Sequence, residues 1–135
     1  MRYWDASALV PLCVAETGTA AVRRLVRGGI VTWAVSAVEI AAAIERRGRE
    51  GSLTDAERAR AQAALRELVA AWTEISALGA VRERALRLVA THPLRAADAM
   101  QLGAALVAVA DHTAGHDFVC ADQRLRAAAA REGFG

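Results

Sequence analysis

Lysine is absent from this chain of 135 residues, and all seventeen of its basic residues are arginine. That removes Schiff-base chemistry, the phosphate-binding lysine of a P-loop and the lysine that a receiver-type phosphoacceptor needs. Cysteine is scarce. Cys13 and Cys120 stand far apart, with no CxxC or metal-ligand spacing, which predicts two reduced thiols. Aromatic residues make up 4% of the chain, so alanine, leucine and valine must build most of the core. No apolar run is long enough to span a bilayer, and no basic stretch followed by an apolar one marks a secretory signal. A cytoplasmic protein with no membrane association is the expectation. The formal charge of +2 is too small to announce a nucleic-acid binder by itself.

What is present is an alternation of short apolar runs with helical patterns. Met1-Arg-Tyr-Trp ends in Asp5, and a helix over Ala8–Ala15 follows, with Pro11 in its first turn. Thr19–Arg27 reads as a second helix, closed by Gly28-Gly29. Ile30–Ala34 is β-branched and aromatic, as a buried strand requires. Ser36 opens a helix to about Arg47. Thr54 and Glu57 have capping-box spacing at the head of a long helix to about Trp72, with Ala61, Leu65, Leu68, Val69 and Trp72 as its apolar stripe. Thr73–Ser76 is a short strand, Ala80–Ala90 and Leu94–Ala110 are helices, Asp117–Ala121 is the last strand and Gln123–Arg131 a closing helix. This alternation predicts one α/β domain over residues 1–135, a parallel sheet covered by helices on both faces.

In such sheets reactive groups gather outside the carboxyl ends of the strands. Asp5 stands at one such end. Asp122 stands at another, although it is also well placed to cap the final helix. Asp117 precedes that strand, roughly 13 Å away at the opposite edge. Asp98 falls on a helical stripe with Leu94, Leu102, Ala105 and Val109, where a carboxylate needs a partner; Arg95 or a cation would serve. Glu39 lies three residues after Ser36, the spacing of a second capping box, and taken alone it reads as a cap. Together the four acids repel one another at one rim unless cations neutralise them. Oxygen-only donors select hard ions such as Mg²⁺ or Mn²⁺. Ser7 could hydrogen-bond a ligating carboxylate or a bound water.

Four ordered segments, Asp5-Ala-Ser7-Ala-Leu9, Ser36-Ala-Val-Glu39, Leu94-Arg-Ala-Ala-Asp98-Ala-Met-Gln-Leu102 and Val119-Cys-Ala-Asp122-Gln-Arg-Leu125, resemble the PIN-domain ribonucleases. In particular they resemble the VapC-type toxins of toxin–antitoxin pairs. The resemblance covers nearly the whole chain. It implies a three-layer α/β/α sandwich with a mainly parallel sheet of about four to five strands. It also implies a Mg²⁺- or Mn²⁺-dependent endoribonuclease in which Asp5, Glu39, Asp98 and Asp122 hold the metal and carry catalysis. A homodimer and a cognate antitoxin filling the active groove are further implications; the helices at Ala8–Ala15 and Thr54–Trp72 offer an apolar groove for such a segment. Arg95 and Arg124, beside the acids, are candidate holders of RNA phosphate. One position departs: Cys120 stands where the family usually has threonine or serine.

Other classes are weaker. A haloacid-type hydrolase needs a second aspartate where this chain has Ser7. The alternative of another kind is a catalytically silent PIN-like domain that binds a protein. His112 and His116 have an i,i+4 spacing, but Gly115 between them predicts a loop rather than a metal-binding helix. Trp4, Trp33 and Trp72 lie at strand and stripe positions and are expected in the core rather than on RNA.

Overall fold

In the chain's computed structural model, residues 1–14, 24 and 26–135 are described. Strand β1 (Arg2–Trp4) leads into α1 (Ala6–Cys13). Then come β2 (Val31–Trp33), α2 (Ser36–Arg49), α3 (Asp55–Ala71) and β3 (Thr73–Ile75). Helices α4 (Leu78–Thr91) and α5 (Ala96–Ala108), strand β4 (Asp117–Val119) and α6 (Gln123–Arg131) complete the order. The helix expected over Thr19–Arg27 lies largely outside the described residues.

The strands form a sheet in the order β3-β2-β1-β4, parallel throughout. Tyr3 pairs with Val31 on one side and Phe118 on the other, so β1 is central. Because side chains alternate along a strand, β1 sends Tyr3 to one face and Trp4 to the other. Tyr3, Trp33 and Phe118 pack with α4, α5 and α6, while Trp4 packs with α1, α2 and α3. The result is the expected α/β/α sandwich, with its three tryptophans all buried. After β3 the chain returns to add β4 on the far side of β1. The order therefore reverses between β1 and β4, where open α/β sheets form their crevice.

Local chemistry explains most element ends. The Thr54–Glu57 capping box is present, with Glu57 Oε1 accepting from the Thr54 amide at 2.8 Å and Thr54 Oγ1 from the Glu57 amide at 3.1 Å. Helix α1 begins two residues earlier than its apolar pattern suggests, because the Asp5 carboxylate caps it. Pro11 thus sits beyond the first turn rather than in it, and its missing N–H shortens the ladder near the helix end. Val69, placed on the buried stripe of α3 from the sequence, is 38% exposed, whereas Ala61, Leu65 and Trp72 of that stripe are buried. Helices α4 and α5 approach closely at Gly103, where a Cβ would lie 2.9 Å from the Val81 carbonyl oxygen. That close approach accounts for a glycine inside α5.

Candidate active site

Asp5, Glu39, Asp98 and Asp122 line one cleft of about 510 Å³ at the carboxyl ends of β1 and β4. Four separate elements deliver them. Asp5 follows β1 directly, and its amide continues the sheet by donating to the Val119 carbonyl at 2.9 Å. Glu39 is in the first turn of α2, Asp98 in the first turn of α5, and Asp122 caps α6. Helix starts carry unsatisfied amides and a positive dipole end, so each favours an acid.

Their surroundings differ. Asp5 is only 5% exposed. Its Oδ2 accepts from the Ser7 amide at 3.1 Å and from the Ser7 hydroxyl at 2.5 Å. Ser7 Oγ in turn accepts from the Ala121 amide at 3.0 Å, tying Asp5 to the segment that carries Asp122. Asp122 is exposed, and its Oδ1 accepts from the Leu125 amide at 2.9 Å, the capping role its sequence position suggested. Glu39 is not the cap that its spacing from Ser36 suggested. Val35 is the N-cap of α2, with no side-chain cap bond, and Ser36 turns inward to full burial. Glu39 Oε1 instead accepts from Gln101 Nε2 at 3.2 Å.

Burial is the first cause that raises the pKa of Asp5, Glu39 and Asp98. Mutual repulsion adds to it. Asp98 raises Asp5, both raise Glu39, and Asp122 raises Asp98. Glu39 is pushed up to about 7. Arg95 and Arg124 pull the other way on Asp98 and line an adjoining cleft of about 650 Å³ with Asp98 and Asp122. Arg46 and Arg47 line the same cleft as the acids, and a hard divalent cation is the ion that oxygen-only donors would take. Among the described residues no three such side chains are drawn round a single point. They line the wall of the cleft instead.

Cys120 hydrogen-bonds to backbone rather than to the side chain of an acid. Its buried thiol, held protonated by a pKa pushed up to about 11, donates to the Asp122 carbonyl oxygen at 3.1 Å. Arg126 holds the Cys120 carbonyl oxygen at 2.7 Å, so this position braces the backbone before Asp122. Asp117 is at the other end of β4, 3.6 Å from Arg2. His112 and His116 occupy a loop, as expected.

The profile of the PIN domain family matches residues 2–131. The chain belongs to the PIN domain family. Two curated relatives add detail. Ribonuclease VapC45 of Mycobacterium tuberculosis (strain CDC 1551 / Oshkosh) is 33% identical over 131 residues, covering 87% of this chain and 91% of the relative. Ribonuclease VapC49 of Mycobacterium tuberculosis (strain ATCC 25618 / H37Rv) gives the same figures. In this PIN domain the sequence had pointed to all four acids of the cleft, but not to Gln101, which is wholly buried behind them. The signal was available: Gln101 is the sole polar side chain between Ala99 and Ala110.

Proposed function

We propose that this PIN domain is a metal-dependent endoribonuclease, the toxin of a toxin–antitoxin pair, that hydrolyses RNA phosphodiester bonds. The cleft lined by Asp5, Glu39, Asp98 and Asp122 is the observation that carries the reading. The similarity to VapC ribonucleases along most of the chain supplies the substrate class. The four carboxylates would hold Mg²⁺ or Mn²⁺. Such an ion, when bound, lowers the pKa of a water and offsets charge building at phosphorus. The chain's own part is to hold and orient. Ser7 fixes one oxygen of Asp5 through its amide and its hydroxyl. Asp122 caps α6 through one oxygen, which holds its carboxylate at the mouth. Arg95 and Arg124 hold flanking phosphates, the role that a planar fork of donors suits.

A mixed RNA pool incubated with the purified chain tests this. Cutting is expected with Mn²⁺ or Mg²⁺, and none with chelator or in Asp98→Asn. Cutting that survives both would reject the site. A folded chain that cuts no RNA under any of these conditions would leave a silent protein-binding domain in its place. Filter binding of single-stranded RNA in chelator isolates the arginines. Arg95→Gln and Arg124→Gln should each reduce the salt slope, by roughly 0.7 for every phosphate the variant no longer neutralises. An unchanged slope would remove that role.

The remaining partners follow the same reading. A groove of about 320 Å³ lined by Leu12, Val26, Ala64, Glu67 and Leu68 supports docking of an antitoxin segment between α1 and α3. Homodimer formation is consistent with the exposed Leu78, Leu86 and Val89, which share a stripe of α4; a monomer mass by light scattering would exclude it. No helix among the described residues is long and apolar enough to cross a membrane. The cytoplasm is the compartment proposed, and an oxidised thiol in protein taken from cells would contradict it.

A further inference from the structure

Behind the acids runs a line of polar side chains buried between the sheet and two helices. Tyr3 on β1, Thr32 on β2, Ser36 on α2 and Gln101 on α5 all have no exposed surface. Buried polar groups are costly unless every one is satisfied, and here one consistent chain of donors satisfies them. Thr32 Oγ1 donates to the Trp4 carbonyl oxygen at 2.6 Å. The 2.7 Å hydrogen bond between Thr32 and Ser36 must then use the Ser36 proton. Ser36 Oγ is left as an acceptor, and Gln101 Nε2 donates to it at 2.9 Å. The Tyr3 hydroxyl, kept protonated by burial, donates to Gln101 Oε1 at 2.7 Å. One hydrogen of the Gln101 amide remains, and it goes to Glu39 Oε1 at 3.2 Å.

Three of the four stand near an acid in sequence. Tyr3 is two residues before Asp5, Ser36 three before Glu39, and Gln101 three after Asp98. A flipped amide would set Oε1 against both the Glu39 carboxylate and Ser36 Oγ, acceptor facing acceptor. Tyr3 and Ser36 therefore fix which edge of the amide meets Glu39. Oε1 of Glu39 is engaged by that amide, which leaves Oε2 free of it.

We propose that Gln101 is a positioning residue for metal binding: locked by Tyr3 and Ser36, its amide holds the Glu39 carboxylate in the orientation that receives a divalent cation. Gln101 never touches the ion or RNA in this scheme. It acts through Glu39. The inference rests on the metal-dependent reading above, and the test separates the two.

Mn²⁺ binding is measured by calorimetric titration of the full chain, without RNA, for wild type, Gln101→Met, Glu39→Gln and the double variant. Methionine keeps the length and bulk of glutamine but cannot donate. Loss of a partner that orients a metal ligand typically weakens metal binding roughly 10–100-fold, the shift expected for Gln101→Met. Because Gln101 acts through Glu39, adding Gln101→Met to Glu39→Gln should weaken binding no further. A purely structural role predicts the opposite, losses that add. Should Gln101→Met fold poorly, Tyr3→Phe with Gln101→Met removes the buried proton that had gone to Gln101 and reads the same affinity. Wild-type affinity in the variant, or additive losses, would overturn the positioning role alone. Absence of Mn²⁺ binding by the wild-type chain would overturn the metal reading and this role together.

Discussion

Asp5→Asn is expected to abolish RNA cutting while leaving the metal-free fold at least as stable as wild type. The fold half follows from what Asp5 does locally. Its Oδ2 accepts from the amide and hydroxyl of Ser7, and it caps α1. Asparagine caps helices about as well as aspartate, and its carbonyl oxygen can take both Ser7 bonds. What asparagine cannot supply is charge. Asp5 is buried and lies within electrostatic reach of Asp98 and Glu39, so removing its charge relieves both neighbours. The same charge is what would bind a cation. Removing one electrostatic stabiliser from a reacting centre costs on the order of 10²–10³-fold in rate, and a ligand at the middle of the cleft should cost no less. Single-turnover cleavage with Mn²⁺ and urea unfolding in chelator check the two halves separately. More than about a tenth of wild-type cutting would be too much activity for a residue of that kind and would remove Asp5 from the site.

Asp5 and Asp122 were legible because each follows a strand and precedes a helix, and parallel strands bring such positions to one edge. Asp98 was legible as a charge on an apolar stripe. Glu39 shows where spacing alone fails. Ser36 and Glu39 have the same separation as Thr54 and Glu57, yet only the second pair forms a capping box. The difference is tertiary: Thr32 and Gln101 draw Ser36 into the core, and no hydroxyl remains at the helix start. Tyr3, Thr32 and Ser36 are ordinary residues in isolation. Their connection depends on β1 lying beside β2 and on α5 crossing behind them, which the sequence order does not state. Gln101 alone carried a local signal, one amide among apolar neighbours. The start of α1 escapes its apolar pattern for a related reason, since the carboxylate that serves the cleft also starts the helix.

The metal-free chain should lose stability as pH rises from about 5 to 8, the reverse of what paired surface carboxylates produce. Glu39 sets the sign. Its folded pKa is about 7 against an ordinary value of 4.5, and Asp5 and Asp98 are raised as well. Between those two values the folded chain keeps a proton that the unfolded chain releases. Stability from this source is therefore complete below about pH 4.5 and is lost as pH climbs through 7. Carboxylates with lowered pKa act in another window. Glu132 beside Arg87 and Asp111 beside Arg84 lose their contribution as pH falls below the ordinary carboxylate range. The two trends place the maximum near pH 5. One pKa unit corresponds to about 1.4 kcal/mol, and solvent screening of the half-buried Glu39 reduces the total to on the order of 1–2 kcal/mol. That is a Tm change of roughly 2–8 °C in a domain of this size. Cation binding competes with those protons, so Mn²⁺ should stabilise the chain more at pH 8 than at pH 5 and flatten or invert the slope. Glu39→Gln should flatten the metal-free slope by itself. Calorimetric scans across pH, with chelator and with Mn²⁺, decide the matter. Metal-free stability that stays level or rises between pH 5 and 8 would mean that the acids of the cleft are not held protonated by burial, and the repulsion that makes the cleft attractive to a cation would go with it.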